Sequence, residues 1–311
     1  MFERILVPLD TSACAQDALF VGKAVAARCG GALLLLDSVS GPASLPDTAT
    51  AQKRLALQVA SLQAEGFDAH AMVRDGLVVD TIAAVAEEQR ADLIVLAPHP
   101  HDQRVSAHLI AHASLPFRTV PQGEDLATTL RFLTDPQHTR RAIAVALDGS
   151  ELAERALPIA IEIARGLDQQ IHLIRVVPDI DMDALGIAMP AVRRIAIQTL
   201  FADMREAHGY LAAVRRAILA TSPVHVQKRV LVGDPVEKLV ATTRSNEVGL
   251  LALTTHARGA LAQAVMGSVA AALMLRSPIP LLIIPPISHQ PDQTGALIDH
   301  LCPTMADIAK D

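Results

Sequence analysis

Short, continuous apolar runs alternate along this chain with longer stretches whose apolar residues recur every three or four positions. Arg4-Ile5-Leu6-Val7-Pro8-Leu9-Asp10 predicts a strand ending at an acidic residue, and Ala13 to about Cys29 predicts an amphipathic helix closed by Gly30-Gly31. Ala32-Leu33-Leu34-Leu35-Leu36 has no polar alternation, the pattern of a strand covered on both faces. A loop rich in Pro, Gly and Ser leads to a helix from Asp47 to about Ala64. His70 to Val73 predicts a third strand ending near Gly76, Val79 to Arg90 a helix, and Asp92 to Leu96 a fourth strand.

The pattern then restarts. Arg141-Ala142-Ile143-Ala144-Val145-Ala146-Leu147-Asp148-Gly149-Ser150 aligns with the opening of the chain at an offset of 138, with Asp148 on Asp10. Leu152 to Arg165 repeats the first helix, Ile171 to Val177 the second strand, Val226 to Val232 with Gly233 the third, and Val236 to Asn246 the next helix. A long helical pattern from about Ala191 to Ala220 has grown between the second and third strands. Each copy has the length of a whole domain. The expected division is residues 1–122, a polar linker at 123–139, residues 140–286, and a tail at 287–311. Strands alternating with helices predict an α/β fold: two tandem open parallel sheets joined by right-handed crossovers.

Composition narrows the functions. The 311 residues are 51% hydrophobic and 19% charged, enough for sizeable cores. Aromatic residues make up 2%, Trp is absent and the net charge is -6, which argues against nucleic acid as the main partner. Cys14, Cys29 and Cys302 form no paired motif, which fits a reducing cytoplasm. The amino terminus carries no secretory pattern, and no apolar run reaches the roughly 18 residues of a membrane span.

The chemistry concentrates between Leu250 and Ser268. An apolar strand breaks into Thr254-Thr255-His256-Ala257-Arg258-Gly259 and reaches a helix start at Gly267-Ser268-Val269. Amide groups in the first turn of a helix lack intrahelical partners and sit at the positive end of its dipole, so this is an anion site in outline. The alternative is that Ser268 only caps the helix. In an open sheet, ligands lie beyond the carboxyl ends of the strands where the strand order reverses. With strand one between strands two and four, Asp148, Val176 and Thr254 face one crevice and Gly267-Ser268 stands on its rim. Asp148 has its own alternative as the cap of the following helix.

The stretch resembles the universal stress protein family, whose signature G-x2-G-x9-G-[S/T] wraps the phosphates of ATP in the binding members. Gly267-Ser268 occupies the final pair, whereas Thr254 and Ala257 replace the two earlier glycines. A Cβ at Ala257 costs on the order of 1 kcal/mol where a left-handed backbone is needed. The resemblance implies that Asp148 and Val176 hold adenosine, with Gly233, Thr254, His256, Ala257, Arg258, Gly267, Ser268 and Val269 completing a site for ATP or AMP, with or without magnesium. In the first copy the matching positions are Asp10 and Ser38, but a shorter loop puts Gln103-Arg104 where the Gly-Ser pair would fall. The resemblance therefore implies a tandem stress-response module with one adenine nucleotide, in the second copy.

Other classes stay in view. A nucleotide-independent stress adaptor is the alternative; no Walker loop, metalloprotease helix or nucleophile elbow supports an enzyme, which leaves slow ATP hydrolysis as the remaining chemistry. His108 and His112 stand four apart on a predicted helix with His99 and His101 just before it, a spacing that suits zinc or another divalent metal. Leu115 to Pro121 and Ile279 to Pro285 predict final edge strands, and exposed edges seek partners. By the same resemblance these strands pair, giving an intramolecular pseudo-dimer and leaving a homodimer of full chains open.

Overall fold

The computed structural model describes residues 2–10, 12–39, 45–96, 117–119, 141–179, 190–245, 247–255 and 267–285. In the first copy these are β1 (Arg4–Pro8), α1 (Ala13–Cys29), β2 (Ala32–Val39), α2 (Leu45–Ala64), β3 (Ala69–Asp75), α3 (Val78–Glu88), β4 (Leu93–Leu96) and β5 (Phe117–Thr119). The second contributes β6 (Ala142–Ala146), α4 (Glu151–Glu154), α5 (Ala156–Leu167), β7 (Ile171–Val177), α6 (Pro190–Thr221), β8 (Val226–Val232), α7 (Pro235–Thr243), β9 (Val248–Thr254), α8 (Ser268–Arg276) and β10 (Leu281–Ile284). Among the described residues, no helix is long and apolar enough to cross a membrane.

The chain folds into two compact units, one made of Met1–His138 with Thr255–Ser288 and the other of Thr139–Thr254 with His289–Asp311. The first unit has the strand order β3-β2-β1-β4-β5-β10. Its first five strands are parallel, with Ile5 opposite both Leu33 and Leu93. β10 joins β5 antiparallel, with Leu281 opposite Thr119 and Ile283 opposite Phe117. The two segments expected as sheet edges thus pair with each other. The second unit has the order β9-β6-β7-β8, all parallel.

The absence of polar alternation in the strands has its cause in burial. Ile5, Leu6, Val7, Ile143, Ala144 and Val145 are all fully buried, and each larger side chain among them contributes about 1.5–3 kcal/mol. Helix ends follow their local chemistry. Ser12 and Ser150 cap α1 and α4 by accepting from the backbone amides of Ala15 and Ala153 at 3.2 and 3.1 Å. Gly30 and Asp168, at φ 71° and 52°, close α1 and α5 at equivalent positions.

One expected element is interrupted. The helix expected from Leu152 to Arg165 is two, α4 and α5, divided at Arg155. Pro158 has no N–H to donate to the Glu154 carbonyl one turn back, and its ring crowds that oxygen. The long helix α6 buries Ala207, Leu211, Val214 and Ile218 along one stripe, at the three-to-four spacing that identified it.

Leu281, Leu282, Ile283 and Ile284 of β10 are all buried, so the first unit depends on a strand distant in sequence. A chain ending at Ser277 is expected to lose this cover and leave the β5 backbone edge unpaired. Light scattering after size exclusion should show that chain self-associating with concentration; a well-folded monomer would contradict the dependence.

Candidate functional site

The loop after β6 is built around Asp148. Its Oδ1 accepts from the Ser150 amide at 2.9 Å and from the Ser150 hydroxyl at 2.7 Å. Ser150 then caps α4, so the alternative in which Asp148 itself caps the helix is corrected: the aspartate braces the capping serine. Gly149 between them has φ 92°, a left-handed conformation that favours glycine. Asp10 and Ser12 repeat the arrangement, with the Ser12 amide donating to Asp10 Oδ1 at 2.8 Å.

Register sets the neighbours of Asp148. Ala146 pairs with Ile174 and Val145 with Ala252, so Val176 on β7 and Thr254 on β9 reach the same carboxyl edge as Asp148. Gly233 closes β8 beside them, at φ 134°, its amide donating to the Val177 carbonyl at 3.0 Å. Four of the expected residues therefore share one edge of the second unit, on four adjacent strands.

Gly267, Ser268 and Val269 belong to the first compact unit. Gly267 is the N-cap of α8, at φ -56° and ψ 142°, with no side-chain cap hydrogen bond among the described residues. Ser268 is its first helical residue and is exposed, which corrects the alternative of Ser268 as the cap. Since any residue adopts the Gly267 backbone conformation, what glycine supplies there is the absence of a side chain. His256, Ala257 and Arg258 lie outside the described residues, as do His99, His101, His108 and His112. Among the described residues, no group of three metal-ligating side chains assembles.

Two cationic side chains at this edge were not expected. Arg175, on β7 next to Val176, has a side chain only 18% exposed; its Nη2 lies 3.2 Å from Glu206 Oε1 of α6, and its guanidinium sits 5.3 Å from the centre of the Tyr210 ring. A Cβ on Gly149 would stand 3.2 Å from the guanidinium carbon, so the glycine leaves room for the arginine to lie over the Asp148 loop. Lys238 of α7 covers Gly233, where a Cβ would come within 2.6 Å of its Cε. The sequence signal was there: the offset that puts Asp148 on Asp10 puts Arg175 on Asp37, a reversal of charge at one strand position.

The first unit fills the same edge differently. Asp37 is buried and paired with Arg54 of α2; burial pushes its carboxyl up, Arg54 pulls it down, and the Asp10 carboxylate adds to the rise. Ser38, the counterpart of Val176, donates to the Gly76 carbonyl at 3.2 Å. Gly76 ends β3 at φ 143° with Thr81 Oγ1 over it, as Lys238 lies over Gly233.

A family model described as the universal stress protein family matches residues 1–120 and 139–285. Among solved structures, a universal stress protein from Archaeoglobus fulgidus DSM 4304 is 16% identical with TM-score 0.64, and the match covers 91% of this chain and 98% of that one. A functionally unknown protein from Pseudomonas aeruginosa PAO1 is 19% identical with TM-score 0.58, covering 100% and 98%. Another Pseudomonas aeruginosa structure, a putative universal stress protein from UCBPP-PA14, is 18% identical with TM-score 0.58 over the same shares. At these identities the likeness is one of fold. Among curated proteins, no sequence matches.

Away from the carboxyl edge, the second unit holds a buried imidazole, His172 of β7, whose Nδ1 has no hydrogen-bond partner among the described residues. Burial lowers its pKa first, Arg229 and His225 lower it further, and Glu247 opposes them. A depressed folded-state pKa means that below the ordinary value, 6.5, the unfolded chain binds the proton more readily, so stability falls as pH drops beneath it. Urea midpoints at pH 7.5 and 5.5 should differ more for the native chain than for His172→Leu; an equal difference would remove His172 as a source of acid sensitivity.

Proposed function

The chain belongs to the universal stress protein family, and on that premise we propose that it is a tandem stress-response module holding one adenine nucleotide, ATP or AMP, in its second copy. Residues 140–286 carry the ligand, 1–122 form a partner that binds none, 123–139 link the two and 287–311 form a tail. Asp148 accepts from ribose or base, Val176 gives an apolar wall, and Gly233 and Thr254 complete the edge. The family signature assigns the phosphates to Gly267, Ser268 and Val269, with His256, Ala257 and Arg258 before them in sequence and magnesium as counter-ion where the phosphate chain is long. The module acts by being loaded or empty, in the cytoplasm, whose reducing conditions suit its scattered cysteines.

The observation that carries this reading is the difference between two equivalent edges. The second copy keeps Asp148, Val176 and Gly233 beside cationic side chains, while the first turns Asp37 into the same position as Arg175 and spends Ser38 on the Gly76 carbonyl. At the second edge Arg175 and Lys238 add positive charge beside Asp148, whereas at the first Asp37 is already paired with Arg54. The adaptor reading rests on Ala257, whose Cβ narrows a loop that the family signature builds on glycine.

Calorimetry on the full chain should find one adenine nucleotide per chain. Gly267→Val should weaken it at least about tenfold by closing the approach to the first-turn amides, whereas Asp10→Ala should leave it unchanged. Absence of binding at millimolar nucleotide would favour the adaptor, and two equivalent sites would contradict the asymmetry.

A further inference from the structure

The long helix α6 outruns the sheet it packs on. It follows β7, so it begins at the carboxyl edge of the second unit and runs back towards the start of β8, which is parallel to β7. Glu206 and Tyr210 meet Arg175 near the end of β7, at 3.2 and 5.3 Å, and among the described residues of the helix burial begins at Ala207. Residues 190–205 therefore project about 24 Å beyond that level, at 1.5 Å per residue. A helix surrounded by water is normally polar on every side, and this one is not. The stripe buried from Ile218 back to Ala207 continues, by the same threes and fours, through Met204, Leu200 and Ile197, with Phe201 beside it. Phe201 is 62% exposed and Ile197 40%.

Charge and reach decide what covers this face. The projecting half carries Arg193, Arg194 and Arg205 against Asp203, all exposed. Two copies of α6 laid together bring like net charges against each other, which opposes self-pairing. The end of the chain has the opposite balance, with Asp292, Asp299, Asp307 and Asp311 against Lys310. Its Leu297, Leu301, Met305 and Ile308 recur every three or four positions, and Pro303 divides them into two short runs. Position favours the same segment. The Thr255 amide donates to the Ile284 carbonyl at 3.1 Å, so the chain leaves β10 level with the end of β9, at the carboxyl edge that α6 overhangs. From β9 to β7 is two strand spacings, roughly 10 Å, and a helix is about 10 Å across. Residues 287–296, fully extended, span about 33 Å, enough to bring Leu297 onto α6. His289–Asp311 belong to the same compact unit as α6.

We propose that the stripe of Ile197, Leu200, Phe201 and Met204 is a dock for the carboxyl-terminal segment 297–311 of the same chain. The apolar residues of that segment cover the stripe, and its aspartates answer the arginines at 193, 194 and 205. Tethering keeps the segment at a high local concentration, so it outcompetes the same segment of other chains. The dock does not depend on the nucleotide reading.

Hydrogen–deuterium exchange on the full chain tests it, read in peptides from 190–205, 207–218 and 297–311, with the particle mass from light scattering. In a monomeric native chain, 190–205 and 297–311 should both exchange at least about tenfold more slowly than an unstructured chain. Phe201→Asp should release 297–311 and Leu301→Asp should release 190–205, each by roughly that factor, while 207–218 stays protected. Should Phe201→Asp loosen 207–218 as well, Leu301→Asp decides alone, because it lies outside every described element. Exchange of 297–311 at the unstructured rate in the native chain, or release confined to the segment that carries the substitution, overturns the dock. A dimer in which 190–205 is protected and 297–311 is not gives the stripe to a second copy and overturns it too.

Discussion

The candidate site depends on the reversal of strand order at the central strand of each sheet. β1 lies between β2 and β4, and β6 between β7 and β9, because the crossovers run first one way and then the other. With both faces of these strands buried, their backbone and side chains are unavailable to a ligand anywhere except at the ends. The carboxyl ends are where the loops part, and Asp148, Val176, Gly233 and Thr254 stand there because the strands are parallel and in register.

On that scaffold the two copies share one device and differ beyond it. Both brace the first helix with the same device, an aspartate holding a serine that caps the helix. Beyond it, the first copy turns inward: Asp37 meets Arg54, Ser38 meets the Gly76 carbonyl, and Thr81 fills the space over Gly76. The second keeps longer cationic side chains over its glycines. An aspartate that is itself part of a cap cannot be replaced without a cost to folding of about 1 kcal/mol, so the bracing role and the proposed ligand role of Asp148 constrain it together.

The strand β10 carries a second constraint. Its apolar residues finish the first unit although they follow the second copy in sequence, so neither half of the chain contains a complete set of strands for the first sheet. Antiparallel pairing of β5 with β10 uses two segments that would otherwise expose unpaired amides and carbonyls. It also explains why compact units and sequence copies divide the chain at different places.

Sequence alone determined the repeat, the α/β class, the parallel strands and nearly every element boundary, because burial on both faces leaves an unbroken apolar run and glycine or proline marks the ends. It determined too that Asp10 and Asp148 begin equivalent loops. The break before Pro158 was legible but unread: in a helix counted from Leu152 this proline lies beyond the first turn, where its missing N–H and its ring oppose the Glu154 carbonyl. Only the tertiary structure decided that Asp148 braces Ser150, that Gly267 and not Ser268 is the cap, and that Arg175 lies over Gly149 while Lys238 lies over Gly233. Only the contact of Arg175 with Gly149 spans a long stretch of chain; the others are local in sequence, but all depend on side-chain and backbone directions, and no local pattern of hydrophobic and polar residues encodes a direction in space.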